Sequence, residues 1–152
     1  MLLVDDRDRL LLLSAGTADG SEAAAAGPGA GDGPWWFTCG GGIEEGETAE
    51  AAAVREVWEE TGLVLDPVAL GPVVHRRRVI FPWGGRLLDS DEEFRVARVP
   101  AYDVDTTGFD ATERALITGA RWWTLAELDT AHARLAPPEL PALLAAALTG
   151  RG

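Results

Sequence analysis

Six consecutive residues, Arg55-Glu56-Val57-Trp58-Glu59-Glu60, hold the densest concentration of chemistry in the sequence. In a helix, successive residues sit about 100° apart around the axis, so Glu56, Glu59 and Glu60 fall on one face. Carboxylates at i,i+3 and i,i+4 spacing, roughly 6 Å apart, repel one another. A helix C-terminus, where these glutamates lie, already disfavours negative charge. A sequence that accepts both penalties points to neutralisation from outside the chain. Hard divalent cations with oxygen ligands, Mg²⁺ or its substitute Mn²⁺, are the natural candidates. A solvated acidic face is the ordinary explanation of such a run taken alone. The segment that precedes it, Gly41-Gly42-Ile43-Glu44-Glu45-Gly46-Glu47, argues otherwise, because a glycine-rich loop lets main-chain groups approach phosphate and metal closely. Ala52 and Ala53, one turn before Glu56, leave room for a ligand.

The elements that must position these residues are legible around them. Thr48 is a good N-cap for a helix that runs through an alanine-rich stretch to about Thr61, with Gly62 as its stop. Upstream, residues 2–4 and 10–13 read as two short strands joined by a polar turn. The first arm is shorter than its partner, so the native start is expected upstream. Residues 15–34 carry almost no large apolar side chain and are expected to form a mobile loop, with at most a weak helical turn over 22–26. Trp35-Trp36-Phe37 is strand-like. Residues 73–81 and 93–99 flank Pro82-Trp83-Gly84-Gly85 and predict a long hairpin. Arg121-Trp122-Trp123 predicts a short strand, Thr124 and Glu127 a capping box opening another helix, and residues 137–148 a terminal helix. Strands interleaved with helices around one long central helix imply an α/β fold, a mixed sheet with helices packed on its faces.

Bulk properties narrow the function. A chain of 152 residues, 47% hydrophobic, fits a single domain spanning 1–152. Its formal net charge of −12 repels the backbone of long nucleic acids but admits a small phosphorylated molecule once cations screen the carboxylates. One cysteine, Cys39, excludes an intrachain disulfide. Aspartates at the start, where a signal peptide would be basic, and a last apolar run too short to span a bilayer, predict a cytoplasmic protein with no membrane partner. A homodimer is left open. His75 and His132 lack any second ligand at zinc spacing. Arg76 and Arg78 share one face of the predicted hairpin and are the candidates for gripping substrate phosphates, against the plainer reading of a solvated strand face.

Residues 41–63, GGIEEGETAEAAAVREVWEETGL, match every fixed position of the Nudix box, GX5EX7REUXEEXGU with U aliphatic. Gly41, Glu47, Arg55, Glu56, Val57, Glu59, Glu60, Gly62 and Leu63 all fall in register, and the chain resembles the Nudix hydrolase family on that ground. The resemblance implies a three-layer α/β/α sandwich that hydrolyses a phosphoanhydride in a nucleoside diphosphate linked to another moiety. It implies that Glu56, Glu59 and Glu60 hold magnesium, with the Gly41 carbonyl as a further ligand. Glu47 and Arg55 would pair to orient loop and helix. The general base differs among family members, and Glu60 within the box or Glu92, Glu93 and Glu113 outside it are the candidates. Cys39 stands where relatives usually carry proline and is expected to be a small buried side chain. A ligand-sensing relative that has lost catalysis is the competing reading, and the complete box weighs against it. Nucleoside triphosphates, ADP-ribose and nucleotide sugars all remain open as substrates.

Overall fold

A computed structural model describes residues 1–16, 34–83 and 86–150, the side chains of Pro82, Trp83 and Thr112 excepted. Its centre is β2, Leu10–Ala15, buried at all six positions. A strand covered by helices on both faces reads as a continuous apolar run rather than an alternating one, which is why LLLLSA works there. Alternation still sorts the side chains. Leu11 and Leu13 join Leu3, Val57, Phe109 and Ile117 on one face, whereas Leu10 and Leu12 join Leu2, Val4, Trp123, Leu128, Leu140 and Leu144 on the other. Helix α1 (Ala49–Thr61) covers the first face, α3 (Leu125–Thr130) and α4 (Leu140–Thr149) cover the second, and the short α2 (Ala111–Leu116) lies between Phe109 and Ile117 of the first face. The result is the expected α/β/α arrangement.

The sheet is mixed. Its strands run in the order β4 (Leu70–Trp83), β5 (Arg86–Arg98), β1 (Leu2–Val4), β2, β3 (Trp35–Phe37), β7 (Arg134–Ala136), with β6 (Ile117–Trp123) paired to β2 off that path. β1 (Leu2–Val4) lies parallel to β5 over three positions and antiparallel to β2 only at Val4 opposite Leu10. β3 (Trp35–Phe37) pairs antiparallel with β2 and parallel with β7 (Arg134–Ala136). β6 (Ile117–Trp123) starts four residues earlier than the sequence predicts. The hairpin is also longer than expected, β4 spanning Leu70–Trp83 and β5 Arg86–Arg98.

Two further expectations need correcting. Ala15 belongs to β2, buried opposite Trp35 and Ile117, rather than to a loop. The rest of the predicted loop, from residue 17 to 33, and the helical turn over 22–26 lie outside the described residues. The terminal helix begins at Leu140 rather than Pro137, because Pro137 precedes Pro138 and a residue before proline is steered out of helical geometry. Among the described residues no helix is long and apolar enough to cross a membrane.

Candidate active site

Helix α1 is fixed at both ends as its sequence dictates. Thr48 Oγ1 accepts the Ala51 N–H at 3.1 Å, and Gly62, at φ 73°, donates its N–H to the Trp58 carbonyl at 2.8 Å. This register sends Glu56 and Glu60 inward, where they are 8% and 3% exposed. Glu60 Oε2 accepts the Gly40 N–H at 2.6 Å, tying the glycine loop to the helix. Gly41 lies so close to the Glu56 carboxylate that any Cβ there would collide with it, so the loop's first box glycine is a steric requirement of this approach.

Arg55 gathers the remaining polar groups. Its guanidinium donates to both Glu47 oxygens at 3.0 and 2.9 Å, to the Gly42 carbonyl at 2.9 Å, to Glu56 Oε1 at 2.8 Å and to Glu59 Oε2 at 3.0 Å. The fork joins the glycine loop to the helix through Glu47 and Gly42. Hydrogen bonding from Arg55 holds the Glu47 carboxyl below the usual carboxylate range, and the same bond pushes Arg55 further toward permanent charge.

Arg55 does not relieve Glu60. Burial pushes the Glu60 carboxyl up to about 8, with the Glu56 and Glu113 carboxylates adding to the rise and the Gly40 N–H opposing it. Burial also raises Glu56, and the Arg55 bond only partly offsets it. Ionising either buried carboxylate is therefore unfavourable with the chain's own charges alone.

The third member of this pocket comes from outside the box. One ligand oxygen from each of Glu56, Glu60 and Glu113 lies within 4.8 Å of the other two. Glu113 sits on α2, where its side chain accepts the Asp110 N–H at 2.7 Å while Asp110 accepts the Glu113 N–H at 2.7 Å, a complete capping box. The loop leading into α2 is docked on the end of α1 by main-chain contacts. Asp105 N–H donates to the Thr61 carbonyl at 3.0 Å, and the Gly108 Cα lies against the Glu59 carbonyl with no space for a Cβ. Neither α2 nor β7 was anticipated, although the Asp110-x-x-Glu113 spacing is a legible N-terminal signal for α2.

The other candidates lie elsewhere. Arg76 and Arg78, both 69% exposed, pair with Glu93 and Asp89 at 2.8 Å across the hairpin rather than with the α1 carboxylates. Glu92 pairs with Arg77 at 2.6 Å. Glu92 and Glu93 are therefore held by the hairpin, and among the outside glutamates only Glu113 joins Glu56 and Glu60. Glu59 shares the helix face but is tied to Arg55. Cys39 is buried, and desolvation pushes its thiol up to about 12, so it acts as a small apolar side chain.

A family model, the NUDIX domain, matches residues 1–145. The chain belongs to the Nudix family. It is 32% identical over 104 residues to an RNA pyrophosphohydrolase from Roseobacter denitrificans, a stretch covering 61% of this chain and 62% of that protein. Solved Nudix structures share its fold. A Nudix-family hydrolase from Clostridium perfringens superposes with a TM-score of 0.61 at 17% identity, covering 99% of this chain and 94% of that one. A C. elegans Ap4A hydrolase gives 0.55 at 18% identity, covering 98% and 94%.

Proposed function

We propose that this Nudix protein is a divalent-metal-dependent pyrophosphohydrolase, cleaving a phosphoanhydride bond in a nucleoside diphosphate linked to another moiety by attack of water on phosphorus. The observation that carries the reading is the convergence of Glu56, Glu60 and Glu113 within 4.8 Å, two of them buried, beside a glycine loop. The donor set fits a hard cation, being all carboxylate oxygen, with Gly41 packed against the Glu56 carboxylate. Glu56 and Glu60 of that set, with Glu59 beside them on the helix once it leaves Arg55, are the residues that would hold Mg²⁺. Bound there, the cation neutralises the diphosphate and makes water a better nucleophile. Arg55 keeps loop and helix in register and shields Glu56 and Glu59 from each other. Glu113 is only half-buried and brings one oxygen within 4.8 Å of those of Glu56 and Glu60 while its Oε2 accepts the Asp110 N–H, and it is the group we assign to accept the proton of the attacking water. The Roseobacter and C. elegans relatives, an RNA pyrophosphohydrolase and an Ap4A hydrolase, support the same bond type.

The test is phosphate release from a panel of nucleotide diphosphate derivatives with Mg²⁺ or Mn²⁺. Glu56→Gln, Glu59→Gln and Glu60→Gln should each lose on the order of 10³-fold, about 4 kcal/mol of barrier. Glu45→Gln, at an unspecified loop position, and Glu50→Gln, which breaks only an exposed pair with Arg95, should stay within a few-fold. Equal loss in all five variants, or full activity in all five, overturns the assignment.

A further inference from the structure

Two six-residue helices of this fold, α2 and α3, open on complete capping boxes. In α3 the box joins helix to sheet. Glu127 Oε2 accepts the Thr124 N–H at 2.8 Å, the Glu127 N–H donates to Thr124 Oγ1 at 3.2 Å, and Glu127 Oε1 accepts from Arg121 of β6 at 2.5 Å. In α2 the same device holds a glutamate in different company. Glu113 Oε2 accepts the Asp110 N–H and the Glu113 N–H donates to Asp110 Oδ1, both at 2.7 Å, while one Glu113 oxygen lies within 4.8 Å of oxygens on Glu56 and Glu60.

Like charges at that range repel, and the Glu113 carboxylate adds to the rise of both Glu56 and Glu60. A glutamate free to rotate would turn to water, gaining hydration and rotamer freedom together. The backbone that opposes this is fixed on both sides of Asp110. Phe109, 5% exposed, packs in the core with Leu11, Leu13 and Val57, and Asp105 and Gly108 dock the preceding loop on α1. The Asp110 N–H is thus a donor held in place by the core. Helix α2 adds little of its own, because six residues make a marginal helix and Ala111, Arg114 and Ala115 are exposed. The reciprocal bonds of the box are what tie the Glu113 side chain to the fixed backbone.

We propose that Asp110 is a positioning residue, its capping box holding the Glu113 carboxylate beside Glu56 and Glu60, where it takes the proton of the attacking water. The inference rests on the hydrolase reading above and on Glu113 as the proton acceptor. Asp110 acts only through Glu113. What it supplies is an acceptor oxygen and a well-placed N–H rather than a charge, so asparagine, an equally good N-cap, should replace it.

The experiment has a kinetic arm and a structural arm. On a nucleotide diphosphate derivative that the wild type hydrolyses, kcat, KM and the Mg²⁺ concentration for half-activity are compared for Asp110→Ala, Asp110→Asn, Thr124→Ala, Glu113→Gln and the double variant Asp110→Ala, Glu113→Gln. Asp110→Ala should lower kcat about 10- to 100-fold, the usual effect of losing a group that orients a working side chain, with KM and the Mg²⁺ requirement within about twofold. Asp110→Asn should recover kcat to within about threefold of wild type. Thr124→Ala removes the matching cap from α3, so it should lower Tm about as much as Asp110→Ala and leave kcat within about twofold. Added to Glu113→Gln, the Asp110→Ala change should move kcat less than about twofold, whereas a general disturbance of the fold would persist there. Unchanged kcat in Asp110→Ala, equal loss in both backgrounds, equal loss in Thr124→Ala, or a loss in Asp110→Asn as deep as in Asp110→Ala overturns the proposal. Should Asp110→Ala fail to fold, Asp110→Gly, which costs the cap less, takes its place. The structural arm needs no nucleotide. With saturating Mg²⁺, ¹³C relaxation should show the Glu113 side chain ordered in wild type and Asp110→Asn and mobile in Asp110→Ala. That result with no nucleotide turned over leaves the positioning intact and sinks the hydrolase reading alone. A Glu113 side chain equally ordered in Asp110→Ala overturns the proposal whatever the kinetics show.

Discussion

Removing the metal should make this protein increasingly unstable as pH rises, and Glu60 is the reason. Burial pushes its carboxyl up to about 8, against an ordinary value of 4.5 in the unfolded chain. Between those two values the folded protein keeps a proton that the unfolded chain has released. The stabilisation is therefore complete below about pH 4.5 and drains away as pH climbs toward 8. At 1.36 kcal/mol per pH unit the ceiling is about 5 kcal/mol, and local relaxation around the buried group brings the expected loss between pH 5 and 8 to about 3 kcal/mol. For a domain of this size that is a fall in Tm of about 6–12 °C. Glu56, also raised by burial, acts in the same direction. Calorimetric scans at pH 5, 6.5 and 8 in EDTA measure the slope. Working at pH 5 and above keeps Asp5, Glu47, Asp105 and Glu127 ionised, since each lies below the usual carboxylate range. Saturating Mg²⁺ should flatten or reverse the slope, because the cation takes the proton's place. Glu60→Gln should flatten it in EDTA and raise the Tm at pH 8. A wild-type Tm independent of pH in EDTA, or an unchanged slope in Glu60→Gln, refutes the reasoning.

Glu113→Gln should lower kcat by 10²- to 10⁴-fold while the Mg²⁺ concentration needed for half-activity changes little, as expected for a proton acceptor. Glu92→Gln and Glu93→Gln, which only loosen the hairpin pairs with Arg77 and Arg76, should leave kcat within twofold; comparable losses in all three would remove Glu113 from its role. Gly108→Ala forces a methyl group onto the Glu59 carbonyl and should destabilise the fold by about 1–3 kcal/mol in urea unfolding. Its kcat should fall with that of Glu113→Gln, and a variant with wild-type kcat would show that α2 needs no such contact.

The sequence announced α1 and its flanking loop because one local rule, helical periodicity, fixes Glu56 and Glu60 relative to Gly41 and Arg55. Glu113 follows no such rule. Its partnership with Glu60 depends on how a loop more than forty residues downstream docks on α1, and the contacts responsible are main-chain ones at Asp105 and Gly108 that leave no pattern in side-chain types. The hairpin's length was hidden for a different reason. Gly71 and Pro72 look like breakers, yet they fall where the β4–β5 register shifts, on an edge strand that tolerates proline. The acidic run from Asp89 to Glu93 resembles a loop, and it becomes strand because Arg76, Arg77 and Arg78 lie across from it and pair with its charges. β7 is three residues of unremarkable composition, given strand geometry by β3 alone.

The seam between α1 and the loop before α2 is built on two glycines, Gly62 against the Asp105 Cβ and carbonyl and Gly108 against the Glu59 carbonyl. Such a seam constrains variation unevenly. An exposed side chain such as Thr106 can vary without touching the joint, whereas a single added carbon at either glycine would displace the loop that leads to Glu113. In an evolving lineage the loop's exposed positions can thus change while the joint, and the carboxylates it positions, stay in place.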